Sequence, residues 1–399
     1  MFSILLHLKI YMEMKQLRFV FVLFAGLLIW ACSNDGSDDS NPTDPDGDGN
    51  GGDGGVVAFD RGAMLANWAD NIVIPAYDSF LGDFATLKTS FESFRNSPDE
   101  TTLAALRNDW LQAYLGWQRI SMFEIGPAEQ EGLRLNINTY PSDVVLIETH
   151  ASSGSYDFTL PSNRDAKGFP ALDYLLHGVG QTDQEILAAY TDAGTGPEYL
   201  QYFEDVLKDI EARVTLVSDA WKSGYRDTFV ANDGASATAS TDRFVNDFIF
   251  YYEKFLRAGK MGIPLGVFTG SPEPQTLEAY YSPGTGNLLF LEGLDAAQDF
   301  FNGVHFGSAQ QGESLASYLR ELNTVKNGVA LDDLINDQFN TAREMVAGLG
   351  AFKTEIEENT PPTDMLMAYD EVQRVIPLLK VDMVSAMSIA IDFVDADGD

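Results

Sequence analysis

Residues 168–178 read GFPALDYLLHG and set Asp173 and His177 four positions apart. On a helix that spacing puts a carboxylate and an imidazole on one face, which suits two ligands of one metal ion. The same residues also make an ordinary helix that binds nothing. Gly168 and Pro170 mark an entrance, because proline fits the first turn, where its missing N–H is not needed. A carboxylate at Asp173 is favoured near the helix N-terminus by about 0.3–1 kcal/mol, and a charged His177 suits the far end. Phe169, Leu172 and Leu176 then supply the buried stripe. Both accounts stay open on the residues alone.

Other reactive motifs are scarce. The chain has no HExxH, no glycine-rich loop ending in Lys-Ser/Thr and no GxSxG elbow. Its four histidines, His7, His150, His177 and His305, are scattered, none with a second histidine at ligand spacing. The single cysteine, Cys32, rules out a disulfide framework and closes a leader-like segment. An activated Ser or Cys nucleophile therefore has no visible support.

The elements that must position these residues are helices. Leu103, Leu106, Trp110, Ala113, Trp117 and Ile120 recur at alternating threes and fours. So do Leu200, Phe203, Leu207, Ile210, Val214, Val217 and Trp221, and a third set runs from Met365 to Phe393. Such stripes belong to helices packed in bundles. Further helices are expected at 60–95 (bent near Pro75), 240–258, 287–302, 310–326 and 331–358. Ser97-Pro98-Asp99-Glu100, Thr182-Asp183 and Pro361-Pro362-Thr363-Asp364 mark starts. No run alternates as a strand would. The expected class is all-α, with two packed four-helix-bundle-like domains at 56–235 and 236–399, divided by ANDGASATAST at 231–241. Between Glu124 and Lys167 the pattern is less helical, and GKMGIPLG at 259–266 makes a second corner.

Five ordered segments resemble the imelysin family. LRNDWLQAYLGWQRISMFEIGPA (106–128) resembles its aromatic-rich helix ending in Gly-Pro, and NTYPSDVVLIE (138–148) its aromatic-Pro segment with following acids. KGFPALDYLLHG (167–178) resembles the segment that usually reads Gly-x-His-x-x-Glu, and RAGKMGIPLG (257–266) the Lys-x-Gly-x-Pro corner. The ending MSIAIDFVDADGD resembles the C-terminal signature. The resemblance implies two helical bundles face to face with a cleft between them, in an envelope-anchored or periplasmic protein linked to iron uptake. The family also carries a peptidase assignment, with His-x-x-Glu as its metal motif.

This chain departs from the motif. Pro170 stands where the family has His, and Asp173 where it has Glu. Proline has no side-chain donor or acceptor and cannot ligate. A metal site would have to be rebuilt, with His177 in place of the lost ligand, or as a carboxylate cluster of Glu124, Asp143, Glu148 and Asp173 for a hard cation or Fe(III). By resemblance the cleft candidates are Gly168, Pro170, Asp173, His177, Trp117, Pro127, Lys260 and Pro264. Their plainer roles are core packing for Trp117 (and Trp110), loop fixing for Pro127, Pro141 and Pro264, and dipole complement or ion pairing for Lys260.

The chain's start reads as a lipoprotein signal over residues 1–31. Lys15 and Arg18 precede an apolar run of 12 residues, 19–30, that is too short to span a bilayer and ends in LLIWAC, with Cys32 to be lipidated. Translation could begin at Met1 or at Met14. Residues 32–55 are an acidic Gly/Asp tether, whose DxDxD spacing lacks the flanking helices of a calcium loop. Asp pairs behind the cysteine resemble surface-export signals of Bacteroidetes lipoproteins. The formal net charge of −35 repels nucleic-acid phosphates and anionic headgroups, so nucleic acid is excluded as a partner and the lipid is the membrane contact.

Three functions follow. The first is an outer-membrane lipoprotein, periplasm-facing or on the cell surface, that binds iron or an iron-related ligand in its cleft beside iron-uptake components. The second is a metallopeptidase, which needs a metal-activated water and a base. The third is a docking lipoprotein whose cleft carboxylates pair internally with Arg119 or Lys260.

Overall fold

Asp60 accepts the Ala63 N–H at 2.8 Å and so starts the first of the described helices, Arg61–Asn67. This continues through a π turn, Trp68–Val73, into Ile74–Asn96. Pro75 has no N–H, so the Asn71 carbonyl lacks the helical partner four residues on. That carbonyl instead accepts the main-chain N–H of Phe306 at 2.8 Å. The bend expected near Pro75 is therefore a π turn, and its free carbonyl ties down a distant loop. The computed structural model describes residues 59–393. The leader, Cys32, the tether and the terminal DADGD lie outside the described residues. Val57–Asp399 is one compact unit.

Asp99 sends the chain back. Its carboxylate accepts the Thr102 N–H at 2.8 Å and the Thr102 hydroxyl accepts the Asp99 N–H at 3.1 Å, a reciprocal cap that opens Glu100–Ile120. The two long helices pack through Phe80, Phe84, Phe91 and Phe94, all buried. Phe91 stacks on Phe203 at 4.7 Å, which seats Thr195–Ala220 across the pair. The expected stripe there is buried from Phe203 to Trp221, while Leu200 stays partly exposed.

Several expected helices are divided. Ser240–Phe250 is α-helical, but Tyr251–Gly262 is wound as a π segment of 12 residues. The 310–326 helix contracts to Leu315–Glu321, capped by Ser314. The 331–358 helix becomes Leu331–Ala347 and Phe352–Glu358, with Gly348 and Gly350 between them. Pro377 withholds the N–H that the Gln373 carbonyl would take, so the last stripe breaks after Thr363–Gln373. Conversely, 124–167 contains the helices Pro127–Glu131, Leu133–Ile137 and Val144–Ser153.

The class is all-α. Among the described residues one small hairpin pairs Val325–Lys326 with Val329–Ala330 around Asn327 and Gly328. Both turn residues have positive φ (54° and 84°), as a two-residue hairpin requires. Residues 231–238 are an exposed connection. The aromatic core runs across that connection: Trp68 lies 4.8 Å from Phe300 and 5.4 Å from Phe244, and Phe123 lies 5.7 Å from Phe244.

Candidate functional site

Gly168 fixes where the motif helix begins. Its φ is +74°, and a Cβ there would lie 2.1 Å from the Ile137 carbonyl oxygen. Only glycine lets Gly168–His177 start against the end of Leu133–Ile137. This brings Asn138, Tyr140 and Pro141 alongside Pro170 and Asp173. Tyr140, Pro141, Pro170 and Asp173, together with Tyr280 and Tyr281, line a cavity of about 250 Å³.

Asp173 is almost fully buried on the wall of that cavity. One oxygen accepts the Tyr281 main-chain N–H at 2.8 Å, and the other lies 3.3 Å from His177 Nδ1. Burial raises the Asp173 carboxyl above the usual range, while His177 and the Tyr281 N–H pull it back. Asp173 and His177 therefore face each other, and His177 Nδ1 also lies 3.2 Å from the Asp173 main-chain carbonyl oxygen. The His177 ring also packs 5.1 Å from Trp110.

A buried ion pair lies behind the cavity. Lys260 bonds to Glu278, whose other oxygen accepts from Asn138 at 2.7 Å and Gln118 at 3.2 Å. The Tyr114 hydroxyl donates to Asn138 at 2.5 Å. Burial lowers the Lys260 ammonium and Glu278 pulls it back up. Burial, with Glu278 second, holds the Tyr140 phenol protonated well past its ordinary range. Gly259 leaves room for Tyr140, since a Cβ would stand 3.0 Å from its hydroxyl. The 138–141, 168–173 and 257–260 segments therefore meet.

The remaining candidates lie elsewhere. Glu124 accepts the Arg134 N–H at 2.7 Å and its own N–H bonds to Asp247 at 2.8 Å. The Arg134 guanidinium lies 3.1 Å from Asp247. Burial pushes the Glu124 carboxyl up to about 7, against the pull of Arg134. Asp143 caps its own helix by accepting the Leu146 N–H at 2.9 Å. Glu148 accepts from Tyr174 and Tyr199. Glu124, Asp143 and Asp173 thus have separate partners, and among the described residues no three His, Cys, Asp or Glu side chains are placed to hold one ion. A His/carboxylate metal site does not fit this donor set.

Trp117 is core, 6.3 Å from Phe80 and 6.5 Å from Phe169. Pro127 opens its short helix behind Gly126, where a Cβ would lie 2.1 Å from the Tyr225 ring. The Pro264 carbonyl accepts the Glu273 N–H at 2.8 Å and closes its corner. Arg119 bonds Glu292 and Asp299 at the edge of a second cavity of about 550 Å³. Sequence reasoning missed Glu278, Tyr281 and Asp247. Glu278 and Tyr281 lie in irregular chain, 277–282, where no period marks them, and Asp247 shows only as one acid on an amphipathic helix.

The family model for imelysin matches residues 73–376. The chain belongs to the imelysin family. Iron-regulated protein A of Synechococcus elongatus is 27% identical over 124 residues, 31% of this chain and 33% of that relative. The match therefore spans about a third of the relative's length. The crystal structure of an iron-regulated protein A precursor from Parabacteroides distasonis superimposes with a TM-score of 0.66 at 16% identity, covering 81% of this chain and 95% of that one. An imelysin-like protein from Psychrobacter arcticum gives 0.63 at 16% identity, over 84% and 100%. At that identity the likeness is one of fold. This imelysin-family chain thus shares the fold of these structures, with proline in place of the motif's histidine.

Proposed function

We propose that this chain is a cell-envelope lipoprotein that binds iron, or an iron-carrying ligand or partner, at the cavity beside Asp173. One observation carries the reading: three separate segments, 140–142, 170–173 and 275–281, converge on a small cavity of mixed lining that holds the Asp173 carboxylate and is backed by the Lys260–Glu278 pair. The iron-regulated relatives support the cargo. At about 250 Å³ the cavity is below the ~300–1,000 Å³ of drug-sized sites, which suits a compact chelate better than an extended peptide. Pro170 in the histidine position weighs against a metallopeptidase.

The leader supports anchoring through Cys32 in the outer membrane, facing the periplasm or the cell surface, with iron-uptake components as partners. Among the described residues no helix is long and apolar enough to cross a membrane. The docking alternative draws on the internal pairing of Lys260 with Glu278 and of Arg119 with Glu292 and Asp299.

Iron content and ferric citrate binding of the purified full chain test the reading, beside Asp173→Asn. Stoichiometric iron that falls at least tenfold in affinity in the variant is the expected result. No iron above buffer in a folded parent would overturn it and leave the docking account.

A further inference from the structure

A second polar cluster lies next to the cavity, and the sequence motif does not account for it. Glu148, on Val144–Ser153, faces phenols from two other helices. One carboxylate oxygen accepts the hydroxyl of Tyr174, on Gly168–His177. The other accepts the hydroxyl of Tyr199, on Thr195–Ala220, at 2.6 Å. Each carboxylate oxygen therefore already has one phenol oxygen against it, and the three donors are held by three packed helices.

We propose that Glu148, Tyr174 and Tyr199 form a ferric-ion site. The inference deepens the iron-binding reading above and rests on it. All the donors are hard oxygens, the class that suits trivalent iron and not the nitrogen and sulfur preferences of zinc. Neighbouring donors at right angles on bonds of about 2.0–2.1 Å lie about 2.9 Å apart. The Tyr199–Glu148 separation of 2.6 Å is close to that, so on this side an ion can take the place of the shared proton with little movement. As each iron–oxygen bond forms, the phenol releases its proton to solvent and the iron remains trivalent.

Three side chains, with the carboxylate gripping through both oxygens, fill four positions of an octahedral shell. The two left open are where a delivering chelator would stay attached. The site adjoins the cavity without lining it: the Tyr174 ring lies 5.2 Å from that of Tyr281, whose N–H holds Asp173. Tyr174 is nearly buried, whereas Glu148 and Tyr199 are half-buried and reachable from solvent.

The full chain is titrated with Fe(III)-nitrilotriacetate and its visible spectrum followed, beside Tyr199→Phe, Tyr174→Phe, Glu148→Gln and Asp173→Asn. The expected result is a tyrosinate-to-iron charge-transfer band that saturates at one equivalent. Either phenylalanine variant should diminish it, and Tyr199→Phe and Glu148→Gln should weaken iron binding at least tenfold. Should Tyr174→Phe fail to fold, the parent spectrum and half-buried Tyr199 still decide the matter. Iron bound without the band, or with a band unchanged in Tyr199→Phe, means a hydrogen-bonded clamp only. That outcome overturns this site while leaving the cavity reading to Asp173→Asn. No iron in any protein overturns both.

Discussion

Lys260 and Glu278 pair inside the fold at 3% and 2% exposure, with Asn138 and Gln118 donating to the same carboxylate. A buried charge that loses its partner is strongly destabilising, whereas replacing both charges together can be close to neutral. Lys260→Met should therefore cost about 3–5 kcal/mol, and Lys260→Met/Glu278→Gln should recover most of it. Urea unfolding of the two variants measures this, and a single-variant loss below about 1 kcal/mol would show that water reaches the pair.

Gly168→Ala should be among the most damaging small substitutions. The new methyl meets the Ile137 carbonyl at 2.1 Å and the φ of +74° disfavours any side chain. Strain and displacement together should lower stability on the order of 2–4 kcal/mol and weaken ferric citrate binding as the cavity wall shifts. A variant as stable as the parent would mean that the two short helices are free to part.

Glu124 gives the fold a pH dependence. Burial, the largest cause, raises its carboxyl from 4.5 to about 7, with Asp247 adding and Arg134 opposing. A carboxyl raised on folding contributes stability that is full below about 4.5 and is lost as the pH climbs through about 7. Glu124→Gln keeps an acceptor for the Arg134 N–H and removes this slope. Relative to the parent it should gain up to about 3 kcal/mol between pH 5 and 8. Thermal melts across that range test the sign. Asp247, raised by the same burial, remains in both proteins and keeps a residual slope of the same direction.

Asp143 separates a helix cap from a metal ligand. Its carboxylate is taken up by the Leu146 N–H at 2.9 Å. Asp143→Ala should lose about 1 kcal/mol of stability. Iron binding should stay at the parent's level, and a loss of iron would place Asp143 in the site after all.

The helices legible in the sequence were those whose stripes and caps agree. Asp99 with Thr102, and Thr182 with Glu185, cap where the start signals stand. Pro75 and the glycines at 348 and 350 break or bend helices for reasons visible in one letter. The Asn327-Gly328 turn falls in the gap between the expected 310–326 and 331–358 helices, and its two-residue strands are too short to show an alternating pattern. Nothing in the sequence announces Glu278, because its partners come from 18 to 160 positions away. The Tyr174–Glu148–Tyr199 contact is equally silent, since tyrosines 25 residues apart on helical stripes look like packing. Local periodicity shows which face turns inward, and only the packing of one helix on another shows which polar atoms then meet.

The aromatic contacts from Trp68 and Phe123 to Phe244 and Phe300 bear on how the protein comes apart. They place buried, mutually packed rings on both sides of the exposed 231–238 connection, so neither half of the chain can keep its interior without the other. Melting should then be a single cooperative event, with one calorimetric peak and matching van't Hoff and calorimetric enthalpies. A protease that cuts only within 231–238 should leave two fragments that elute together and separate on denaturation. The same connection is where a tag or a new pair of chain ends should be tolerated.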